Sequence, residues 1–208
     1  MESLNFEWSS VDRLGMLGGT FDPVHRGHLS VARAVFGHFN LDRILFIPAR
    51  IPPHKAHKDI SAPMHRYLMC VLATLQMPEF CVSRVEIHRQ GASYTIETLR
   101  ELRELTGDET ELFTILGADM VLDIVNWHKP DAILDESTVI GVSRPGFGLQ
   151  KLEQTLGAER SQKVEVYPAD TPDISGTEIR QRVNNGETID EMVPEAVAQY
   201  ISAARLYQ

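Results

Sequence analysis

The sequence predicts an α/β fold: a doubly wound, Rossmann-like parallel sheet with helices on both faces and a C-terminal helical tail. Short apolar, β-branched runs alternate along the chain with segments of helical period, which is the pattern of strand–helix–strand crossovers. Most of these runs are apolar almost throughout instead of alternating, as expected of parallel strands covered on both faces. A length of 208 residues is ample for one such domain and short for two. Residues 1–208 are therefore read as a single domain, with 1–12 as an N-terminal extension and 174–208 as a C-terminal helical part.

Strands are expected over residues 13–17, 43–47, 80–85, 112–116, 138–142 and 164–167. A first helix carries the stripe Leu29, Ala32, Val35, Phe36 and Phe39. A second is marked by Met64, Leu68, Val71, Leu72 and Leu75, and a third by Ile96, Leu99, Leu102 and Leu105 with charged residues between. Each stripe reads as core packing. The loop 48–62, rich in Pro, His and Lys, has the length of a lid or binding loop. The breaker run 168–173 delivers Ser175 as a helix N-cap. A closing helix is expected over 194–207, with Val197, Tyr200, Ile201 and Ala204 inward. In such a sheet, ligands bind beyond the carboxyl ends of the strands, near the switch in strand order.

A formal charge of −9 argues against general nucleic-acid binding, which needs a basic surface. Within 43–66, however, five bases (Arg43, Arg50, Lys55, Lys58, Arg66) face one acid, Asp59. A local positive field of that kind suits a small polyanion, although each base taken singly reads equally well as solvated. Cys70 and Cys81 are the only cysteines; they suggest no disulfide framework and read as buried filler. His54, His57, His65 and Cys70 fit no standard zinc spacing, and no metal site is expected there. The first ten residues are no signal peptide and no run approaches the ~20 apolar residues of a membrane span, so a cytoplasmic protein is expected. A homo-oligomer is left open.

The most informative stretch is Gly18-Gly19-Thr20-Phe21-Asp22-Pro23-Val24-His25-Arg26-Gly27-His28, which leads from the first strand into the first helix. Glycines at such a junction let backbone N–H groups approach a ligand, and the helix entrance favours anions. His25 and His28, bracketing Gly27, add imidazoles that can donate to polyphosphate oxygens. A second helix entrance, at Ser175 with Gly176, Thr177 and Arg180, offers N–H groups, hydroxyls and a guanidinium to the same cleft.

This signature resembles that of the nucleotidyltransferase superfamily marked by His-x-Gly-His, and within it the bacterial nicotinate-nucleotide adenylyltransferase family. The likeness recurs, in the family's order, at Pro52-Pro53-His54-Lys55, Ser93-Tyr94-Thr95, Gly117-Ala118-Asp119, Asn126-Trp127-His128, Ser143-Arg144-Pro145-Gly146 and Ile174-Ser175-Gly176-Thr177. It implies adenylyl transfer from ATP to nicotinate mononucleotide, giving nicotinate adenine dinucleotide and pyrophosphate. The resemblance assigns catalysis to His25, His28 and Arg180. His28 would contact the α-phosphate, His25 would orient the triphosphate, and Arg180 would neutralise the leaving pyrophosphate. It assigns substrate binding to Gly18, Gly19, Thr20, Phe21, Lys55, Thr95, Gly117, Asp119, Trp127, Arg144, Ser175 and Thr177. Thr95 and Trp127 would hold the pyridine ring, Asp119 the ATP ribose and Arg144 the mononucleotide phosphate. Mg²⁺ would enter on the ATP phosphates, with few protein ligands.

The chain departs from the family at Gly176, where a second serine is usual; the backbone N–H survives that change and a hydroxyl is lost. Rival readings keep the superfamily and change the substrate, to nicotinamide mononucleotide or phosphopantetheine, or drop turnover altogether for a nucleotide-binding regulator. The Pro-Pro-His-Lys loop, Trp127 and the retained charged residues favour the first reading.

Overall fold

The computed structural model describes residues 11–52, 60–143 and 149–208. Six strands, β1 (Arg13–Gly19), β2 (Arg43–Pro48), β3 (Phe80–Val82), β4 (Glu111–Gly117), β5 (Thr138–Ser143) and β6 (Val164–Pro168), form one sheet in the order β3-β2-β1-β4-β5-β6. Every neighbouring pair is parallel. Strand order runs outward in both directions from the β1/β4 pair, which makes that pair the winding switch.

The register shows why a crevice opens there. β1 pairs with β4 only from Arg13–Glu111 to Met16–Thr114. β1 then continues beside β2 to Gly19, opposite Pro48, and β4 continues beside β5 to Gly117, opposite Val142. Past Met16 and Thr114 the two central strands are each held by their outer neighbour, and they part at their carboxyl ends.

The sheet carries α1 (Arg26–His38), α2 (Pro63–Thr74), α3 (Val85–His88), α4 (Thr95–Thr106), α5 (Ala118–Asp123), α6 (Pro130–Glu136), α7 (Leu149–Leu156), α8 (Ala158–Ser161), α9 (Gly176–Asn184) and α10 (Glu195–Ala203). Because strand side chains alternate in direction, the two faces feed two cores. Leu17, Ile44, Phe46 and Ile115 pack with residues of α1, α2, α9 and α10, among them Ala32, Met69, Ile179 and Val197. Leu14, Met16, Leu45 and Ile47 pack with Ile96 and Leu99 of α4, Ile133 of α6 and Leu152 of α7. Helices thus cover both faces, as the apolar strands require. No described helix is long and apolar enough to cross a membrane.

Four expectations are corrected. The third strand ends at Val82, not at 85, because Ser83 Oγ accepts from the Val85 amide at 3.1 Å and starts α3, which buries Val85 and Glu86. On α2 the inward face is Arg66, Met69, Cys70, Ala73 and Thr74. Met64, Leu68 and Leu75 of the expected stripe are instead exposed. The reason is Arg66, 1% exposed, whose guanidinium donates to the carbonyls of Ser61 (2.9 Å), Thr20 (2.7 Å) and Arg50 (3.2 Å). A buried guanidinium needs such acceptors, and satisfying them rotates the helix.

Three of the five bases in 43–66 are engaged by backbone carbonyls, contacts that leave their charge in place. Arg66 is inside, Arg43 donates to the Asp42 carbonyl at 2.6 Å, and Arg50 donates to the Arg89 carbonyl at 2.8 Å. Lys55 and Lys58 lie outside the described residues. The closing helix stops at Ala203, since Arg205 and Tyr207 take left-handed φ values of 51° and 65°. Cys70 is buried as expected, whereas Cys81 is only half-buried.

Candidate active site

The turn after β1 is fixed from several sides. Phe21 has φ 51°, an uncommon conformation for a residue with a side chain. It persists because its ring, 2% exposed, is packed against Gly19 and Phe46. Only the backbone of Phe21 is therefore left to meet a ligand. Arg66 holds the Thr20 carbonyl.

Asp22 is a buried hub. Its Oδ1 accepts from the Tyr207 hydroxyl at 2.6 Å and its Oδ2 from the Ser61 amide at 3.1 Å. Its carbonyl accepts from Arg180 Nη1 at 2.6 Å.

The two histidines open α1 together. Their ring centroids are 3.7 Å apart with planes inclined by 31°, and Phe21 meets His28 edge-on at 5.0 Å. His28 Nδ1 accepts from the His25 amide at 3.2 Å. A ring that accepts at Nδ1 carries its proton on Nε2, so His28 is set as an Nε2 donor. His25 is 8% exposed, and its Nδ1 is buried with no hydrogen-bond partner among the described residues. Burial lowers its pKa to about 4, so the imidazole is neutral near pH 7. Gly27 gives the imidazole room: a Cβ there would sit 3.0 Å from His25 Nδ1 and press on the ring.

α9 closes on this turn from the other side. Ser175 is its N-cap, accepting from the Glu178 amide at 3.1 Å. Arg180 Nη2 donates to Thr177 Oγ1 at 3.2 Å while Nη1 holds Asp22. A guanidinium has five N–H donors in a planar fork, so these two bonds leave others for an anion. Two helix entrances, two imidazoles and one guanidinium thus converge on one turn, an arrangement that can hold and polarise phosphate oxygens.

Beside the turn, in the gap between the parted strands, lies a cavity of about 230 Å³. Gly18, Gly19 and Thr20 line one part of it, and Ser93, Tyr94, Thr95 and Trp127 line another. Met16, Leu116 and Ile133 supply apolar wall. The Trp127 indole N–H donates to Asp123 Oδ2 at 3.2 Å, which fixes its ring plane. Tyr94 and His128, both in the cavity's lining, meet with ring centroids 4.5 Å apart and planes inclined by 34°. The imidazole pair is not part of the cavity wall and stands beyond its Thr20 end.

Of the expected residues, Gly18, Gly19, Thr20, Thr95 and Trp127 share the cavity, while His25, His28, Ser175, Thr177 and Arg180 cluster at the turn. Gly117, the N-cap of α5, and Asp119 in its first turn are exposed at the end of β4. Lys55 and Arg144 lie outside the described residues. Two groups were missed from sequence. Glu86, 7% exposed, lines the cavity and accepts from Thr98 Oγ1 at 2.8 Å; burial raises its pKa. An acid inside the run Val85-Glu86-Ile87 was the available signal. Tyr207 gave none, because its partner is 185 positions away.

Comparison with known proteins shows the family and the fold. A family model described as cytidylyltransferase-like matches residues 16–182. A relative from Thermoanaerobacter sp. (strain X514), named "Probable nicotinate-nucleotide adenylyltransferase", is 42% identical over 199 residues, covering 94% of both chains. One of the same name from Frankia alni is 46% identical over 192 residues, covering 92% of this chain and 98% of its own. Among solved structures, Plasmodium falciparum nicotinic acid mononucleotide adenylyltransferase complexed with NaAD aligns with a TM-score of 0.75. It is 19% identical and covers 94% of this chain and 97% of its own; at that identity the likeness is one of fold.

Proposed function

The chain belongs to the nicotinate-nucleotide adenylyltransferase family, and we propose, residue by residue, how it performs that family's reaction. The reaction is adenylyl transfer from ATP to nicotinate mononucleotide, yielding nicotinate adenine dinucleotide and pyrophosphate. A phosphate oxygen of the mononucleotide attacks the α-phosphorus in line. The new P–O bond forms as the bond from the α-phosphorus to the bridging β-oxygen breaks, and pyrophosphate departs with that electron pair.

The attacking phosphate is ionised at neutral pH, so no general base is needed. What remains is positioning and stabilisation of spread negative charge. His28, set as an Nε2 donor, contacts the α-phosphate. His25, neutral through burial, orients the triphosphate as a hydrogen-bonding group and not as a charge. Arg180, with donors beyond those given to Asp22 and Thr177, neutralises the pyrophosphate. The N–H groups of Gly18 to Phe21 and of α9, with the hydroxyl of Thr177, complete the phosphate cradle. Asp119 meets the ATP ribose. Lys55 and Arg144 are assigned to the triphosphate and the mononucleotide phosphate from sequence alone.

At the other end of the crevice, Trp127 stacks on the pyridine ring and Thr95, at the entrance of α4, faces its carboxylate. Mg²⁺ would supply charge neutralisation on the ATP phosphates. The donor set fits a metal carried by substrate, since the buried carboxylate of the turn, Asp22, is already committed to Tyr207 and Ser61. Both substrates are highly charged solutes of the cell interior, which supports a cytoplasmic protein.

The observation that carries this reading is the shared crevice: the glycine turn and the Thr95–Trp127 lining meet in one cavity at the β1/β4 switch. Pyrophosphate release with ATP and Mg²⁺, measured with nicotinate mononucleotide and, separately, with an equal concentration of nicotinamide mononucleotide, tests it. A large preference for nicotinate is expected; turnover with neither compound would overturn the reading.

A further inference from the structure

Asp22 belongs to the signature turn, yet its carboxylate is buried and bonded within the protein. It is 7% exposed, and a buried carboxylate needs donors. Arg66 is nearby and its field reaches Asp22, but its described hydrogen bonds go to the carbonyls of Ser61, Thr20 and Arg50. Among the described residues, the donors to the carboxylate are the Ser61 amide and the Tyr207 hydroxyl.

Tyr207 reaches that position by an uncommon route. α10 ends at Ala203, and the chain reverses through left-handed Arg205 and Tyr207, with Leu206 bonded back to the Ile201 carbonyl at 3.0 Å. Residues with side chains hold such φ values only where their surroundings over-determine them. Leu206 packs against the core, and the Tyr207 hydroxyl lies 2.6 Å from Asp22 Oδ1. Thus the carboxylate of Asp22 is gripped by the tail, while the carbonyl of the same residue seats Arg180.

We propose that Tyr207 is a positioning residue for adenylyl transfer: its hydroxyl fixes Asp22, and through the Asp22 carbonyl it sets the guanidinium of Arg180. The inference rests on the reading that Arg180 meets the departing pyrophosphate. Removing the hydroxyl leaves a buried carboxylate oxygen short of a donor. The turn relaxes and Arg180 loses its fixed seat. The cavity that takes the pyridine ring is not in contact with Tyr207 and stays intact. The effect therefore falls on kcat and spares KM for the mononucleotide.

The test compares wild type, Tyr207→Phe, Arg180→Lys and the double variant in steady-state adenylyl transfer, together with their thermal melting. Tyr207→Phe is expected to lower kcat about tenfold, on the scale by which small misplacements of catalytic groups act, with KM for nicotinate mononucleotide unchanged within about twofold. Because both substitutions act through one guanidinium, the double variant should be little slower than Arg180→Lys alone. A Tyr207→Phe enzyme with wild-type kcat, even if it melts earlier, overturns the proposal and makes Tyr207 a stability residue only. Multiplicative losses in the double variant overturn it as well. Wild-type protein with no adenylyl transfer would instead overturn the assigned reaction, and this proposal with it.

Discussion

At the end of the crevice proposed to hold phosphate, around Phe21, Asp22, His25 and His28, most polar groups are already engaged by the protein itself. At the end proposed to take the pyridine ring, around Thr95 and Trp127, apolar wall surrounds a few polar groups. The first end is rigid by over-determination: a left-handed Phe21 locked by its ring, two imidazoles in contact at 3.7 Å between centroids, and a guanidinium seated on a carbonyl. The second is a cavity with one oriented indole, held by Asp123. The contrast separates two tasks. In the reaction proposed above, charge that develops only in the transition state would be met by preorganised donors, whereas the ring of the mononucleotide, present throughout, would be recognised by shape and stacking. Substitutions at the first end should therefore act on kcat, and those at the second on KM.

The largest effect expected is that of His28→Ala. Losing one preorganised donor to a charged transition state costs about 10²–10³-fold in kcat. His28 is only half-buried, so the melting temperature should change little. Steady-state kinetics together with thermal melting check this. A variant that unfolds, or one with unchanged kcat/KM, would break the division of labour at its strongest point.

His25 sharpens the same comparison through stability. Its folded pKa, about 4, lies below the ordinary ~6.5 of an exposed histidine. Between those values the unfolded chain binds a proton that the fold does not, so stability rises with pH across the window and is lost as pH falls through it. The loss attributable to His25 is about 2 kcal/mol on going from pH 7 to pH 4.5. Denaturant melts at the two pH values should show it, and His25→Gln should remove that part of the difference. An unchanged pH dependence in the variant would mean that the imidazole is not desolvated as its burial implies.

Much of this architecture was legible in the sequence because local pattern and tertiary demand agree. Apolar strands such as Arg43–Pro48 are covered on both faces, and Ser175 caps the helix that it announces. Legibility failed where a polar side chain overrode the pattern. The apolar stripe on α2 promised Met64 and Leu68 inward, but a buried Arg66 with three carbonyl acceptors turned the helix the other way. It failed again where a contact joins distant parts of the chain. Nothing near Tyr207 in sequence points to Asp22, and nothing in the period of 80–85 separates a strand from the short helix that buries Glu86. The residues that motif resemblance identified are those expected to touch substrate; of those it missed, Tyr207 holds the turn from behind and Glu86 lines the cavity itself.

At the pyridine end the expected effect is smaller and of a different kind. Trp127→Ala removes a stacking face worth about 1 kcal/mol beyond burial, together with part of the indole's buried area. KM for nicotinate mononucleotide should rise about tenfold while kcat stays within about threefold, and Trp127→Phe should recover part of the loss. A fall in kcat of the size expected for His28→Ala would show that the two ends are not separable.

The smallest effect is expected at Gly176, where the resemblance leads one to expect a serine, and it bears on how tightly the hydrogen bonds of the turn fit its end of the crevice. A Cβ at Gly176 would stand 3.0 Å from the Asp22 carbonyl oxygen and 3.4 Å from Arg180 Nη1. Gly176→Ser adds the hydroxyl that the resemblance leads one to expect, but it presses on the carbonyl that seats Arg180. Backbone N–H groups are unchanged, so phosphate can still bind. The cost is a shift of a few tenths of an ångström in a preorganised contact, expected to lower kcat about threefold with both KM values unaltered. A serine variant faster than wild type would mean that the added hydroxyl outweighs the displaced carbonyl. The turn would then be yielding where Asp22, Tyr207 and Arg180 describe it as fixed.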